Sequence, residues 1–305
     1  MRIFVTGATG FIGSAVVQEL IKAGHSVIGC ARSHAGAKSL IAAGAEVLRG
    51  DLEDLGSLRI GAAMSDAVIH TAFIHDFSKF KENCEIDRRA IEALGSALEG
   101  SDRPLLVTSG TGMVAPGRLA TEEDDPLPTS AAMPRASEEA AARVASRGVR
   151  VSVVRLPQVH DRNKQGLISY AIAVARKKGV SAYVGDGLNR WSAVHRLDCA
   201  NLYRLVLEKG SRGARYHAVA EEGVPVRKIA EAIGRGLNLP AVSLSAEQAR
   251  EHFGWLGFFA GLDMPSSSTL TQQRLGWRPT QTELMDDLDH ARDFEPENAK
   301  VAAGS

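Results

Sequence analysis

Three glycines spaced three residues apart mark the N-terminal segment as a candidate phosphate-binding site. They lie between an apolar run at residues 3–5 and an amphipathic stretch at residues 14–22, a pattern that predicts a strand, a tight turn and a helix. Glycine permits the turn and lets the main chain approach a pyrophosphate, while the helix N-terminus offers free N–H groups to the phosphates. The predicted cofactor-binding residues of this loop are Thr6, Gly7, Thr9, Gly10, Phe11, Ile12 and Gly13.

The end of the second predicted strand, at residues 26–31, indicates which dinucleotide binds. An acid that accepts the ribose 2′-hydroxyl of NAD is expected about 20 residues after the glycines. No acid occurs between Glu19 and Glu46, and Arg32 and Ser33 follow the strand instead. Because a guanidinium suits a 2′-phosphate, NADP(H) is favoured over NAD(H). The alternative is that Arg32 is a solvated loop residue.

Asp51 and Leu52 follow a third predicted strand at residues 46–48. Asp51 is expected beside the adenine of the cofactor. The alternative is that its carboxylate caps the helix that comes next.

Strand-like apolar runs alternate with helical stretches through the first half of the chain. Further strands are predicted at residues 67–70, 105–108 and 151–154, and helices at residues 84–98 and 135–146. This alternation is typical of an α/β fold with a Rossmann-type, doubly wound parallel sheet, whose ligands bind at the carboxyl edge. The other residues expected to meet the cofactor at that edge are Thr71, Ala72, Phe73, Thr108 and Pro157.

The regular alternation ends beyond residue 160, which predicts a second, smaller lobe. We expect a dinucleotide-binding domain at residues 1–165 and 190–222, interrupted by a mainly helical, C-terminal substrate lobe at residues 166–189 and 223–292. Residues 293–305 lack periodicity and are expected to form a flexible tail.

Composition argues against several classes of partner. The 305 residues include 36 basic and 36 acidic side chains, so no net field favours nucleic acid or an anionic membrane. Three cysteines without a CxxC pair argue against a metal cage and fit a reducing cytoplasm. The first strand begins at residue 2, too early for a signal peptide, and no apolar run reaches the ~20 residues of a membrane span. We therefore expect a cytoplasmic protein.

Five motifs together resemble the extended short-chain dehydrogenase/reductase family of sugar-nucleotide epimerases, dehydratases and dihydroflavonol-reductase-like enzymes. They are the glycine loop at residues 6–13, Asp51-Leu52, and the segments at residues 154–157, 194–200 and 275–279. The resemblance covers nearly the whole length. It implies nicotinamide-dependent chemistry and a homodimer formed through the helices predicted at residues 84–98 and 135–146.

The catalytic Tyr-x-x-x-Lys pair that this resemblance implies is missing. None of the four tyrosines is followed by lysine at the fourth position; they are Tyr170, Tyr183, Tyr203 and Tyr216. In the segment where the pair belongs, Met133 replaces the acid and Ser137 replaces the lysine, and Pro134 suits a first helical turn. The chain resembles atypical subgroups that keep the cofactor motif and lose the usual active-site residues.

Other side chains near the carboxyl edge are candidates for the chemistry. The family's Ser or Thr falls at Gly110, between Ser109 and Thr111. His75 follows the fourth strand, and His160 replaces a tyrosine that the family has after Arg-Leu-Pro. Histidine titrates near neutral pH and suits a proton donor. The alternatives are a backbone-bonded loop residue for His75 and a structural role for His160.

The expected substrate side is apolar. Met113, Met133, Tyr183 and Trp191 are expected to line it, and the aromatic run at residues 253–259 is either a lid or buried packing. The sequence favours an NADP(H)-dependent oxidoreductase that reduces a small, apolar carbonyl, imine or activated alkene with a nonstandard proton donor. A non-catalytic NADP(H)-binding sensor or regulatory protein, and a lyase or isomerase, are the alternatives.

Overall fold

A computed structural model describes residues 1–112, 114–130 and 133–294. Its strands are β1 (Arg2–Thr6), β2 (Ser26–Ala31), β3 (Glu46–Arg49), β4 (Ala67–His70), β5 (Pro104–Gly110), β6 (Arg150–Leu156), β7 (Gln158–His160), β8 (Ser181–Val184), β9 (Arg190–His195), β10 (Arg215–His217), β11 (Glu221–Pro225) and β12 (Ala241–Leu244). Its helices are α1 (Phe11–Lys22), α2 (His34–Ala42), α3 (Leu55–Ala63), α4 (Phe80–Ser96), α5 (Ser137–Ser146), α6 (Leu167–Lys178), α7 (Arg196–Lys209), α8 (Val226–Leu237), α9 (Ala246–Phe253), α10 (Gly257–Ala260), α11 (Thr269–Leu275) and α12 (Leu284–Asp289). None of the helices in these ranges is long and apolar enough to cross a bilayer.

Parallel strands form the central sheet in the order β10-β6-β5-β4-β1-β2-β3. Because side chains alternate along a strand, Ile3 and Val5 pack into a core with α1 and α7. Phe4 packs on the opposite face, in a core with α3, α4 and α5. Helices on both faces confirm the predicted Rossmann-type α/β fold. The edge strand β10 is an addition to the six strands predicted.

The helix predicted to begin at residue 135 begins later. Ala136 is the N-cap residue and has φ −113°, and α5 starts at Ser137. Pro134 therefore precedes the helix and does not lie in its first turn. This difference matters for the site, because it leaves Arg135 on a connecting segment beside the sheet.

A second hydrophobic cluster forms the core of the smaller lobe, which combines α6, α8, α9 and α12 with strands β8, β9 and β11. Trp191 on β9 packs in this cluster, although its range was predicted as part of the larger domain. Trp277 shows the reverse: it is fully buried in the core of the larger lobe. The exact domain boundaries stay a prediction.

The last described turn, Arg292–Phe294, packs on the smaller lobe. Phe294 contacts its core, and Ser169 Oγ donates to Asp293 Oδ2 at 2.8 Å. These two residues are therefore not part of the flexible tail predicted from residue 293. Residues 295–305, the rest of that tail, lie outside the described residues.

Candidate functional site

A cavity of about 1350 Å³ follows the carboxyl edge of the central sheet and continues toward the smaller lobe. Every residue predicted to bind the cofactor lines it; these are Thr6, Gly7, Thr9, Gly10, Phe11, Ile12, Gly13, Arg32, Ser33, Asp51, Leu52, Thr71, Ala72, Phe73, Thr108 and Pro157. The fold thus brings these residues together, while their role in binding stays a prediction.

The glycine loop has the geometry that a pyrophosphate requires. Gly7 has φ +66°, in the left-handed region that favours glycine, and a Cβ at Gly13 would lie 2.1 Å from the Gly7 oxygen. Gly10 is the N-cap of α1, and no side chain caps this end of the helix. The first amides of α1 are thus available to an anion at the cavity wall. The loop fits a dinucleotide phosphate.

At the far end of the cavity, Arg32 and Ser33 lie where β2 leads into α2. Arg32 Nε is 3.7 Å from Asp51 Oδ2, and the arginine side chain is 71% exposed. The Ser33 hydroxyl accepts the Gly36 N–H at 3.0 Å and so caps α2. A solvent-exposed guanidinium next to a helix N-terminus is well suited to a phosphate.

The alternative N-cap role for Asp51 is wrong. Asp54 is the N-cap of α3, where its carboxylate accepts the Ser57 N–H at 3.2 Å. Asp51 instead accepts the Glu53 N–H at 3.0 Å and faces the cavity. Its second oxygen stays near Arg32.

Two hydroxyls border the cavity at the end of β5. Thr111 Oγ1 has only long contacts, 3.5 Å each, with Leu156 O and Ser192 Oγ. Ser109 is 8% exposed and lines the cavity, and no described residue hydrogen-bonds its hydroxyl. Ser109 is therefore the better placed of the two to donate a hydrogen bond to a ligand.

His75 lies at the cavity wall, with its ring 5.4 Å from that of Phe73. Desolvation by the surrounding groups lowers its pKa, and the positive charges of Arg135 and Lys164 lower it further. A backbone hydrogen bond at Phe73 opposes this shift. The imidazole is thus mostly neutral at pH 7.

His160 does not line the cavity, contrary to the prediction of a catalytic role. Its ring is fully buried, and Nδ1 lies 2.8 Å from Asp287 Oδ2. Burial lowers the pKa of His160, although the Asp287 carboxylate opposes that shift. A segment 127 residues later in the chain covers this histidine. The structure therefore agrees with the alternative, a structural role for His160.

Only some of the residues predicted to line the substrate pocket lie at the cavity. Met133 and Trp191 line the cavity. Tyr183 does not, because it packs elsewhere in the smaller lobe with Arg227 Cζ 5.6 Å from the centre of its ring. Met113 lies outside the described residues.

A buried hydrogen-bond chain lies under the segment that lacks the tyrosine and lysine. The His70 ring lies 2.8 Å from Thr6 Oγ1 and 3.1 Å from Asp87 Oδ1. The Ser137 hydroxyl donates to Asp87 Oδ2 at 2.5 Å and accepts from Arg135 Nε at 3.1 Å. Burial opposes ionisation of Asp87, but the His70 contact and these hydrogen bonds hold its pKa below the ordinary value. Ser137 is therefore a structural link, not a replacement for lysine.

Two residues missed from the sequence also line the cavity. Arg135 places its guanidinium carbon 4.3 Å from the centre of the Phe73 ring. Tyr170, on α6, lies with Phe77 and Trp255 in an aromatic wall, and the last two rings stack with centroids 3.9 Å apart. The residue four positions after Tyr170 is not lysine, so no short motif marks this tyrosine.

No grouping of three or more His, Cys, Asp or Glu side chains suited to a metal ion occurs in the ranges that the structure covers. The cavity runs from the glycine loop to the Ser109 and Thr111 hydroxyls and to the aromatic wall.

The chain is similar to several known proteins. An uncharacterized protein of Schizosaccharomyces pombe is 51% identical over 290 residues, covering 94% of this chain and 98% of that protein. A ketoreductase of Stigmatella aurantiaca, which acts on a farnesyl-dihydroquinoline oxide, is 25% identical over 269 residues. The match covers 83% of this chain and 80% of that protein. The dTDP-glucose 4,6-dehydratase DesIV of Streptomyces venezuelae, solved with NAD, superposes with TM-score 0.78 at 22% identity, covering 99% of this chain and 98% of that one. Residues 3–220 match the model of the NAD dependent epimerase/dehydratase family, and the chain belongs to that family.

Proposed function

We propose that the protein is an NADP(H)-dependent oxidoreductase that reduces a small carbonyl, imine or activated alkene. The observation that carries this proposal is the continuous cavity, which joins the glycine loop and Arg32 to the Ser109 hydroxyl and an apolar wall. The ketoreductase relative supports a reductive reaction.

In this proposal the glycine loop and the first turn of α1 hold the pyrophosphate, and Arg32 and Ser33 hold the 2′-phosphate. The bound cofactor supplies a hydride. Ser109 donates a hydrogen bond to the reacting oxygen, and the aromatic wall excludes water from it. The proton comes from His75, Tyr170 or a bound water, because Met133 has no proton to give.

Turnover is tested by mixing the pure protein and 4-deuterated NADPH with a panel of aldehydes, ketones, imines and enones. We expect loss of absorbance at the nicotinamide band and transfer of deuterium into the product. Cofactor binding without loss of absorbance over the whole panel would contradict the proposal.

The cofactor preference is tested with Arg32→Gln. A lost charge-assisted hydrogen bond costs about 1.5–3 kcal/mol, so we expect NADPH to bind about tenfold to a hundredfold more weakly and NADH to bind unchanged. Calorimetry measures both affinities, and Arg59→Gln, on the outer surface of α3, is the matched control. Equal losses for the two cofactors would show that Arg32 does not read the 2′-phosphate.

One observation favours a second candidate, a sensor that binds NADP(H) without turnover. The positions of the family tyrosine and lysine hold Met133 and the buried Ser137, which cannot relay a proton. A sensor would bind oxidised and reduced cofactor with unequal affinity and transfer no deuterium. A lyase or isomerase would convert its substrate without deuterium reaching the product.

A further inference from the structure

The charges around the cavity are unevenly paired. Its lining carboxylates each have a basic partner: Asp51 lies near Arg32, Glu138 pairs with Arg155 at 2.8 Å, and Glu139 pairs with Arg143. Two lining cations, Arg135 and Lys164, have no carboxylate within ion-pair distance among the described residues.

Arg135 is held in place by its neighbours. Its Nε donates to Ser137 Oγ at 3.1 Å, and Ser137 is itself fixed by the buried Asp87. The guanidinium also lies 4.3 Å from the centre of the Phe73 ring, a favourable cation–π distance. Its two terminal nitrogens form no hydrogen bond with any residue that the structure describes. A guanidinium fixed at Nε and free at its terminal nitrogens is a fork that matches a carboxylate.

The two cations lie over different aromatic rings, although both are near enough to His75 to lower its pKa. Lys164 Nζ is 5.8 Å from the centre of the Phe11 ring, at the start of α1. Arg135 lies on Phe73, whose ring has edge contacts with Phe80 at 6.1 Å and His75 at 5.4 Å. An apolar group and a negative charge are therefore both accommodated next to Arg135.

We propose that the substrate is an apolar or aromatic carboxylic acid whose carboxylate binds the terminal nitrogens of Arg135. This inference rests on the proposed function, since it names the substrate class of the same site. In the reaction, hydride adds to the carbon of a ketone or activated alkene in the acid, a proton adds to the other atom of that double bond, and NADPH becomes NADP⁺. The carboxylate itself is not changed.

The test uses acid and amide pairs of equal shape. Binding of 3-phenylpropanoate and 3-phenylpropanamide to the protein is measured by calorimetry, with and without NADP⁺, in the wild type, Arg135→Gln and Arg135→Lys. We expect the wild type to prefer the acid, and Arg135→Gln to bind the acid about tenfold to a hundredfold more weakly. We expect the amide to bind all three alike and Arg135→Lys to recover part of the preference.

The matched control is Arg227→Gln, which removes another guanidinium that lies over an aromatic ring but outside the cavity. It should keep the acid preference of the wild type. Equal wild-type affinity for acid and amide, or an Arg135→Gln loss confined to NADP⁺, would overturn the proposal.

Failure of the proposed function gives a different result. A protein that binds the acid through Arg135 but never oxidises NADPH would contradict the reductase and keep the acid site. If the acid binds, 3-phenyl-2-oxopropanoate and its amide extend the comparison to turnover, where kcat/KM should favour the acid in the wild type only.

Discussion

Met133 and Ser137 occupy the positions at which the family resemblance implies a catalytic tyrosine and lysine. Met133 lines the cavity without an ionisable group, and Ser137 is fully buried with its proton donated to Asp87. The described cavity residues that can give a proton near the apolar wall are therefore of other kinds, above all His75 and Tyr170. Both line the cavity.

A pH profile distinguishes them. The pKa of His75 is lowered by desolvation and by nearby cations, so its protonated fraction falls as pH rises through a value below the ordinary 6.5. If His75 is the donor, kcat/KM for reduction falls over the same range, and His75→Gln removes this limb and slows the reaction by about 10²–10⁴.

Tyr170→Phe is the matched variant for that experiment, because it removes only a hydroxyl from the same wall. It should keep the fall of kcat/KM with rising pH that is expected from His75. Loss of activity in Tyr170→Phe together with an unchanged profile in His75→Gln would assign the proton to the tyrosine.

At the scale of elements, the cavity is closed by two segments from different lobes. Phe77 follows β4, whereas Trp255 follows α9, and their rings stack nearly parallel, at 8°. In a double-mutant cycle of Phe77→Leu and Trp255→Leu, we expect a coupling of about 0.5–1.5 kcal/mol in the free energy of unfolding. Denaturant titration measures it.

The control cycle pairs Phe77→Leu with Phe294→Leu, which packs on the smaller lobe and shares no described ring contact with Phe77. The effects of these two substitutions on the free energy of unfolding should add. Additive effects for Phe77 and Trp255 as well would show that the stack does not hold the segments together.

The sequence predicted the elements of the larger lobe closely, because buried strands leave a strong local signal. The bounds of β2 and β4 agree with those expected, and the extended pairing lengthened β5 and β6 by a few residues. The predicted start of α5 was wrong. Pro134 is favoured in the first turn of a helix, yet the helix begins three residues after it, at Ser137. Strand β10 has three residues and was too short to stand out.

Some residues of the site could also be predicted from local sequence, whereas others depend on contacts between distant segments. The glycine loop was predictable because the spacing of three glycines within eight residues defines both the turn and the start of α1. His160 was misassigned because Asp287, 127 residues later, packs on it. Arg135 and Tyr170 were missed because their place at the cavity depends on how α5 and α6 pack, which no short motif records.

At the scale of the whole molecule, stability should depend on pH through His217. Its ring is fully buried, with Nδ1 2.8 Å from Ser267 O and Nε2 3.3 Å from Arg155 Nη1. Burial, followed by the charge of Arg155, lowers its pKa to about 4, from 6.5. Between these values the unfolded chain binds a proton that the folded chain does not, so the free energy of unfolding falls as pH falls.

Thermal unfolding between pH 7 and pH 4 measures this dependence. We expect His217→Gln to flatten the fall of Tm with decreasing pH, whereas the exposed His34→Gln leaves the slope unchanged. Equal slopes in the wild type and in His217→Gln would exclude His217 as a cause of acid sensitivity.

We also propose that the protein is a cytoplasmic homodimer, and the face implied by the family resemblance is polar. On α4 and α5, Glu92 pairs with Arg88 at 2.7 Å and with Arg143 at 3.5 Å. These pairs lie within one chain. We expect a dimer contact across the same charged face to weaken with salt, because the Debye length is about 3 Å at 1 M.

Light scattering should therefore give the mass of two chains at low salt and a smaller mass at about 1 M salt. Glu92→Arg should shift the equilibrium toward one chain at low salt. A single-chain mass for the wild type under all conditions would contradict the dimer.

The position of Trp277 has a consequence for the order in which the chain acquires its structure during synthesis. Its indole fills the interior of the larger lobe and donates to Asp198 O at 3.1 Å, while the Asp198 carboxylate accepts the Thr280 and Gln281 N–H groups. A chain still under synthesis lacks this part of the interior until residue 277 has been translated. We therefore expect the larger lobe to complete its core only after most of the smaller lobe has been made.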